Sequence, residues 1–202
     1  MNPQKRAQTA FAVHELIAAR YSPYGFSDQP VSKADLCSLF EAARWAPSSY
    51  NEQPWSYIVA TKDEPESFQQ LLGCLVEGNQ AWAKSAPVLA LGCTTLNFVR
   101  NNNPNAAAQH DLGLASGNIC LEATARGLTV HQMIGIQPDK AREVYRIPPG
   151  VLPLTGLAIG YAADANLVPS PFRERDLAVR KRKSSAEFVF GGEWGTPAKL
   201  VE

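Results

Sequence analysis

The chain has 202 residues, of which 45% are hydrophobic and 19% are charged, a composition typical of a globular protein with a substantial core rather than of a disordered chain. Nineteen basic and nineteen acidic residues give a formal net charge of zero, so no overall field attracts nucleic acid or an anionic membrane. Any anion-binding site must therefore be local.

The sequence shows no pattern for membrane insertion, secretion or metal binding. It has no run of about eighteen apolar residues, and polar residues interrupt residues 1–20, where a signal peptide needs a continuous apolar middle. The three histidines have no ligand spacing. The four cysteines stand singly in apolar patterns, which favours buried thiols in a reducing compartment: Cys37, Cys74, Cys93 and Cys120. We therefore expect a cytoplasmic protein without a metal.

Two helices are predicted before residue 50. The first is expected to begin at Asn2-Pro3 and to end at Arg20, on an apolar stripe at helical spacing: Ala10, Phe11, His14 and Ile17. The second begins at Ser32, where Ser32 and Asp35 resemble a capping box, and Pro47 stops it.

The middle of the chain alternates between predicted strands and helices. Residues 55–60, 128–130 and 152–161 are expected to be strands, and residues 87–93 form a continuous apolar strand with both faces buried at the centre of a sheet. Helices are predicted over residues 65–76, 106–126 and 138–145, and Gly127 ends the second of these.

The helix over residues 106–126 is rich in small side chains, and this pattern leaves two interpretations open. It could pack tightly within one subunit, or it could approach the backbone of another subunit: Ala107, Ala108, Gly113, Ala115, Ser116 and Gly117. His110 and Asp111, at its start, are interpreted as surface polar residues.

From residue 164 to residue 202 the chain is polar, with basic residues clustered over 173–183 and a few large apolar residues: Phe188, Val189, Phe190 and Trp194. Disordered segments lack such apolar residues, so this C-terminal arm is expected to pack on another surface. With no repeat or second domain visible, residues 1–202 are interpreted as one domain.

The most specific motif joins a predicted helix to a predicted strand. It reads Arg44-Trp45-Ala46-Pro47-Ser48-Ser49-x-Asn51-x-Gln53-Pro54-Trp55, preceded by Arg20-Tyr21-Ser22 and followed by Arg180-Lys181-Arg182-Lys183. In this order and spacing the segments resemble the nitroreductase family of FMN-dependent oxidoreductases, over nearly the whole chain. The resemblance implies an α+β fold with a central, mainly antiparallel sheet flanked by helices. It also implies a homodimer with two FMN at its interface and a C-terminal arm over the partner subunit.

Arginine suits phosphate binding because its planar guanidinium group can meet two phosphate oxygens at once. Arg20 with the Ser22 hydroxyl is one candidate pair, and Arg180 with Arg182 is the other. The resemblance implies that these two pairs clamp the phosphate of FMN.

The same resemblance implies the other cofactor-binding residues. Four of them line the FMN site on a loop that reaches the flavin of the other subunit: Pro47, Ser48, Ser49 and Asn51. The family places a turn over the isoalloxazine at residues 131–135, with backbone N–H groups directed at flavin N5 and O4: Gln132, Met133, Ile134 and Gly135. Tyr21 and Tyr24 belong to the N-terminal segment, and Tyr24 replaces a basic residue of many relatives, so it offers only a hydrogen bond near flavin N1 and O2.

The resemblance implies that NADH or NADPH reduces the flavin by hydride transfer, leaves, and is replaced in the same pocket by a small acceptor such as a nitroaromatic or a quinone. No side chain is assigned as an acid, base or nucleophile, and no ribose-reading motif chooses between NADH and NADPH. The alternatives are another flavin chemistry on the same fold, such as dehalogenation or enone reduction, and a non-catalytic FMN-binding protein.

Overall fold

A four-stranded antiparallel sheet forms the centre of the computed structural model, which describes residues 5–201. The strands are β1 (Trp55–Thr61), β2 (Val88–Thr95), β3 (Thr129–Met133) and β4 (Val151–Gly160), in the spatial order β1-β2-β4-β3. All three neighbouring pairs are antiparallel, as predicted. Seven of the eight β2 residues are buried, which confirms the expectation from its apolar run.

Seven α-helices surround the sheet within the described residues. They are α1 (Glu15–Ala19), α2 (Lys33–Arg44), α3 (Pro65–Leu72), α4 (Glu77–Ala83), α5 (Ala108–Ala125), α6 (Pro138–Tyr145) and α7 (Phe172–Leu177). The Ser32 hydroxyl accepts a hydrogen bond from the Asp35 N–H at 3.0 Å and donates to the Asp35 carboxylate at 2.7 Å, so the predicted cap of α2 is present. Gly127, with φ +73, follows the end of α5 in the left-handed conformation that glycine favours.

The two faces of the sheet pack against different helices because successive strand side chains point to opposite sides. Leu89 and Leu91 of β2 belong to the cluster that includes α3, α4 and α6, whereas Val88 and Ala90 belong to the cluster that includes α2 and α5. This arrangement is the α+β fold with a helix-flanked antiparallel sheet that the resemblance implied. No helix within residues 5–201 is long and apolar enough to cross a membrane.

Several sequence predictions are wrong in detail, and the helix predicted over residues 65–76 ends at Leu72. The first helix covers only Glu15–Ala19, because the Nδ1 of His14 accepts a hydrogen bond from the Leu16 N–H and caps the helix there. Phe11 and Ile17 are 61% and 51% exposed, so the apolar stripe has no surface in the same subunit to stabilise a longer helix. Asn2-Pro3 lies outside the described residues. Cys37 is exposed on α2, while the other three cysteines are buried as expected.

A further correction concerns the turn that was expected over residues 131–135. Its first three residues continue strand β3 and pair with β4, since Met133 lies opposite Gly156 and Gln132 opposite Leu157. Only Ile134 and Gly135 lie in the loop that follows the strand.

The two faces of α5, whose small residues left two interpretations open, differ in how closely they are packed. Ala115, Ile119 and Ala123 are fully buried against the sheet. At Gly113 and Gly117, an added Cβ would meet nothing within 4 Å. The packed face of the helix is thus internal, and these two glycines lie on a face that no described residue covers closely.

Candidate functional site

The two predicted phosphate-binding pairs meet at one cavity of about 220 Å³, although they come from opposite ends of the chain. Arg20 follows α1 and donates a hydrogen bond to the Ser22 hydroxyl at 3.3 Å. Arg180 and Arg182 reach the cavity on the segment after α7. We call this space the basic cavity; its complete lining is Lys5, Arg20, Tyr21, Ser22, Arg175, Ala178, Val179, Arg180 and Arg182.

Hydrogen bonds between the two chain ends hold the basic cavity together. Arg180 donates from Nη1 to the backbone carbonyls of Lys5 at 2.8 Å and of Ala18 at 3.1 Å. Lys5, only 6% exposed, donates from Nζ to the carbonyls of Arg175 at 3.0 Å and of Ala178 at 2.7 Å. Burial lowers the pKa of Lys5, and the negative charge of Asp176 acts in the opposite direction. The ends of the chain thus form one side of the cavity jointly.

The basic cavity gathers several positive charges, and one buried carboxylate, that of Asp176, acts on Lys5 there. Within residues 5–201, none of its four arginines forms an ion pair: Arg20, Arg175, Arg180 and Arg182. Burial, followed by the positive charges of Arg20 and Arg182, lowers the pKa of Arg180. Gathering like charges is unfavourable unless an anion joins them, and the planar forks of arginine match the oxygens of a phosphate. The cavity therefore has the donor set of a phosphate site.

Tyr24 points away from the basic cavity into an aromatic group. Its ring lies 5.2 Å from that of Trp82, 4.7 Å from that of His131 and 5.7 Å from that of Phe172. Its hydroxyl accepts a hydrogen bond from Nη1 of Arg175 at 3.2 Å. The Tyr24 phenol therefore lies beside the guanidinium group of an arginine on α7.

His131 anchors the Arg20–Tyr24 region beside strand β3. Its Nδ1 lies 2.7 Å from the carbonyl oxygen of Pro23. A carbonyl only accepts, so this nitrogen carries the proton and donates. Burial lowers the pKa of His131, which favours the neutral ring. Because β3 is an edge strand, its other side pairs with no strand among the described residues.

A second cavity, of about 350 Å³, lies at the far end of β3 and is mainly apolar. Its lining combines α5 with the ends of β3 and β4: Gln109, Leu112, Gly113, Ser116, Gln132, Met133, Ile134, Leu154 and Thr155. We call it the apolar cavity. The amide of Gln132 donates to the Ser116 carbonyl at 3.3 Å and contacts Cys120 Sγ at 3.1 Å. Three of the four residues expected over the flavin ring therefore line one space.

Ile134 and Gly135 form the loop at the edge of the apolar cavity. Ile134 is 77% exposed, and the N–H groups of both residues donate to no other described residue. The Gly135 carbonyl accepts from Val76 N at 3.1 Å and from Asn79 Nδ2 at 2.9 Å. A Cβ at position 135 would lie 2.4 Å from Asn79 Nδ2, so glycine is needed for this close approach. The loop thus offers two fixed backbone donors.

The loop with Pro47, Ser48, Ser49 and Asn51 lines neither cavity of the same subunit. The Ser48 hydroxyl accepts from the Gln53 N–H at 3.0 Å, and the Ser49 N–H donates to the Asp111 carboxylate at 3.0 Å. Asp111 lies near the start of α5, whereas Arg20 adjoins Thr124 near its end, about 20 Å away along the helix. The structure therefore does not bring this loop to the basic cavity within one chain.

Sequence reasoning missed two carboxylates that hold these segments. Asp111 is 2% exposed, so its interpretation as a surface residue was wrong. Asp176 is 6% exposed and accepts hydrogen bonds from the backbone N–H groups of Tyr24 and Gly25 at 2.9 Å. A signal for Asp111 was available, since it is the one acidic residue in the first turn of a helix rich in small side chains. Arg175 and Asp176 belong to a cluster of charged residues, and the neighbouring sequence does not indicate which distant residues they contact.

Comparison with known proteins identifies, over most of the chain, the family that the sequence motifs resemble. A model of the nitroreductase family matches residues 17–161. A 15.4 kDa protein from the ask 5' region of Mycolicibacterium smegmatis is 32% identical over 132 residues, which are 65% of this chain and 87% of that protein. An FMN reductase [NAD(P)H] of Bacillus subtilis is 29% identical over 157 residues, covering 69% of this chain and 61% of the relative.

Solved structures agree with this assignment. A crystal structure of an oxidoreductase containing FMN superimposes with a TM-score of 0.88 at 34% identity, over 96% of this chain and 98% of that one. A nitroreductase family protein from Clostridium difficile 630 has a TM-score of 0.63 at 26% identity, over 82% and 91% of the two chains. With its fold, its arginine pairs and its linking loop in the expected order, the chain belongs to the nitroreductase family.

Proposed function

We propose that this chain is an FMN-dependent oxidoreductase that takes reducing equivalents from NADH or NADPH and passes them to a small electron-poor acceptor, such as a nitroaromatic or a quinone. The observation that carries the proposal is the basic cavity, where four arginines lack carboxylate partners among the described residues of a chain with no net charge. The names of the two relatives, an FMN reductase and an oxidoreductase containing FMN, support it.

The residues present fit FMN in both parts of the site. Arg20, Ser22, Arg180 and Arg182 would hold the phosphate, because they supply cationic and hydroxyl donors around one cavity. The ring would lie along the open edge of β3 toward the apolar cavity, with the N–H groups of Ile134 and Gly135 as donors at its edge. From Thr129 to Ile134 an extended chain spans about 17 Å, which suits an elongated ligand with an anionic end.

Bound FMN supplies the redox chemistry, since its ring accepts a hydride from a nicotinamide and passes electrons on. The chain binds the phosphate, orients the ring and supplies an apolar space beside it. No separate nucleotide fingerprint occurs in the sequence, so we propose that NAD(P)H and the acceptor use this space in turn. Initial rates should then give parallel double-reciprocal lines, and intersecting lines would contradict a shared pocket.

The proposal includes a homodimer in which the single domain contributes its C-terminal arm to the partner. Large apolar side chains are exposed at both chain ends, with Phe11 at 61%, Phe188 at 62% and Trp194 at 94%. The open face of α5 at Gly113 and Gly117 could receive a closely approaching backbone. A loop that lines no cavity of its own subunit, with Ser49 and Asn51, would then meet the flavin of the other subunit.

Removal of residues 188–202 tests the arm. Burying a large apolar side chain contributes about 1.5–3 kcal/mol, so the shortened chain should dissociate at higher concentration and retain less FMN although Arg180 and Arg182 remain. Sedimentation over a dilution series, combined with flavin absorbance, measures both effects. A truncated protein that stays dimeric and fully occupied by FMN would show that the arm is not needed to form the dimer or the FMN site.

The decisive experiment is the response of the purified protein to reductant. A flavin spectrum, bleached by NADH or NADPH without oxygen and restored by a nitroaromatic or quinone, supports the proposed activity. Bleaching that these acceptors do not reverse would indicate another flavin chemistry. A flavin spectrum without bleaching would indicate a binding protein, and absence of flavin would overturn the proposal.

Two substitutions test the phosphate assignment directly. Arg20→Gln and Arg182→Gln should each weaken FMN binding by about 1.5–3 kcal/mol, because each removes a charge-assisted contact. Lys181→Gln is the matched control, since Lys181 lies between the two C-terminal arginines but does not line the cavity. Equal FMN affinity in all three variants would contradict the assignment.

A further inference from the structure

One stripe of helix α5 faces the apolar cavity. The α5 residues in its lining recur at steps of three, one and three positions, which is the spacing of a single helix face: Gln109, Leu112, Gly113 and Ser116. The rest of the lining comes from β3, β4 and the loop after β3, and none of the described lining residues is charged. At about 350 Å³ the cavity has the size of a small-molecule site.

The charged residue next to this stripe belongs to a different contact of α5. Asp111 follows Gln109 by two positions, and its carboxylate accepts from Ser49 N at 3.0 Å and lies 3.2 Å from Nδ1 of His110. Neither Asp111 nor His110 lines the cavity. An anionic ligand would therefore leave water without meeting a cation among the described lining residues, which is unfavourable. An uncharged ring meets no such penalty.

Most polar groups of the lining are already occupied. The Ser116 hydroxyl lies 2.9 Å from the Tyr57 hydroxyl, and the Thr155 hydroxyl donates to the Met133 carbonyl at 3.1 Å. The amide nitrogen of Gln132 donates to the Ser116 carbonyl at 3.3 Å. These groups shape the cavity but have little capacity left for a ligand.

Gln109 differs from these groups. It is exposed, and its side chain makes no hydrogen bond with another described residue. An amide offers two N–H donors and a carbonyl acceptor without carrying a charge. Gly113 lies one helical turn further on the same face, where an added Cβ would meet nothing within 4 Å, so there is room beside Gln109. The Gln109 amide is therefore available to the polar substituent of a ligand in this cavity.

We infer that the apolar cavity selects uncharged acceptors and that Gln109 is the specificity-determining residue. The inference rests on the proposed function, because it assigns the cavity to the acceptor beside bound FMN. A neutral carboxamide or carbonyl group hydrogen-bonds to the Gln109 amide, whereas a carboxylate loses its water without gaining a cation. The substrate class is thereby narrowed to nitroaromatics and quinones that lack a charged substituent.

The test uses two acceptors that differ in charge at a distance from the reacting group: para-nitrophenylacetamide and para-nitrophenylacetate. A methylene group separates the substituent from the ring in both, so their nitro groups accept electrons almost equally. Reduced flavin gives up two electrons and two protons, and the nitro group takes them with cleavage of one N–O bond, which leaves a nitroso group and water. FMN-loaded protein is reduced without oxygen and mixed with each acceptor, and flavin absorbance gives the second-order rate constant of reoxidation. The amide should react about tenfold faster.

Gln109→Lys tests the residue itself. A lysine should raise the rate constant of para-nitrophenylacetate about tenfold through a charge-assisted contact and change that of the amide much less. Gln109→Glu should lower the rate constant of the acetate further, because like charges repel. His110→Lys is the matched control, since His110 is the next residue of the helix, is also exposed and does not line the cavity. It should keep the preference for the amide.

FMN affinity and the thermal midpoint of each variant are measured alongside. The inference expects both to stay as in the unchanged protein while the acceptor preference changes, because Gln109 is exposed and makes no contact that holds the fold. A preference that changes only together with FMN affinity would assign Gln109 to the cofactor and overturn the inference.

The remaining outcomes distinguish this inference from the proposed function. If both acceptors reoxidise the unchanged protein at equal rates, the cavity does not select by charge, and the proposed function stands. If His110→Lys changes the preference as much as Gln109→Lys does, the overall charge of α5 decides and Gln109 is not the specificity-determining residue. If neither nitroaromatic nor an uncharged quinone reoxidises the flavin, the proposed activity itself is wrong.

Discussion

The central sheet and the basic cavity differ in what holds their residues in place. Strand β2 is buried through its own apolar side chains, with Leu89 and Leu91 fully inaccessible between two layers of helices. The cavity is held by single polar contacts between the chain ends: Lys5 with α7, Asp176 with the segment after α1, and Arg180 with Lys5 and Ala18. Substitutions in the sheet should therefore reduce global stability, whereas those at the cavity should reduce cofactor binding with smaller losses of stability.

The largest effect is expected at Leu91, in the middle of β2. Leu91→Ala should lower the free energy of unfolding by about 2–5 kcal/mol, because it removes a fully buried side chain and leaves a cavity. Denaturant unfolding measures this loss. Val59→Ala on β1 is the control, since Val59 is 38% exposed. This substitution should lower the free energy of unfolding much less. Equal losses for the two variants would show that burial at the centre of the sheet does not decide how much stability a side chain contributes.

The next prediction tests the cavity through Asp176. In Asp176→Asn an N–H₂ group replaces one of the two carboxylate oxygens that accept these bonds, so at least one bond is lost and a donor faces a donor in a buried place. We expect a loss of about 1–3 kcal/mol in unfolding free energy and weaker FMN binding, because Asp176 holds the backbone that directly follows Arg20 and Ser22.

Glu174→Gln is the matched control for Asp176→Asn, since Glu174 lies on the same helix and contacts only the exposed Ser170 hydroxyl. It should change stability by less than about 0.5 kcal/mol. Both variants are measured by denaturant unfolding without flavin and by FMN titration. If Asp176→Asn destabilises the protein but binds FMN normally, α7 does not position the cavity.

The same contrast explains which features could be predicted from the sequence. The Ser32 and Asp35 cap, the apolar run of β2 and Gly127 after α5 are local patterns, and each was located correctly. The assignment of arginines to the phosphate followed from a family motif and stays a prediction. Asp176 and Lys5 could not be found this way, because their partners are backbone groups more than 150 residues distant, whose positions depend on the completed fold. The predicted extent of the first helix was wrong for a related reason, since its apolar stripe lacks a packing surface in the same chain.

A smaller effect is expected at Asp111, which joins the linking loop to α5. Its carboxylate accepts from the Ser49 N–H at 3.0 Å, beside a loop with positive φ at Tyr50, Asn51 and Gln53. Asp111→Ala should lower the unfolding free energy by about 1–2 kcal/mol, because this buried bond is lost. Amide exchange at Ser49 should accelerate.

His110→Ala is the control for Asp111→Ala, since the His110 side chain is 71% exposed and lies next to the same carboxylate. It should leave exchange at Ser49 nearly unchanged. Unchanged exchange in Asp111→Ala would mean that backbone geometry alone holds the loop, as it holds the strands of the sheet.

The smallest effect is a dependence on pH at His131, where the sheet and the cavity segments meet. Burial lowers the pKa of His131 below the usual value for histidine, with a further lowering by the charge of Arg20; the Pro23 carbonyl and Asp176 act in the opposite direction. Because the folded pKa lies below the unfolded one, the unfolded chain binds more protons between the two values. The stability that the neutral ring provides is therefore present above about pH 6.5 and is lost as the pH falls through the folded pKa.

Thermal unfolding of flavin-free protein at about pH 7.5 and about pH 5.5 tests this sign. The midpoint of the unchanged protein should fall about 1–3 °C further than that of His131→Gln, in which the titrating ring is absent. Equal falls in the unchanged protein and His131→Gln would contradict the prediction. A larger fall in His131→Gln would mean that the ring is charged in the folded protein, and Asp176 would then outweigh burial at this junction.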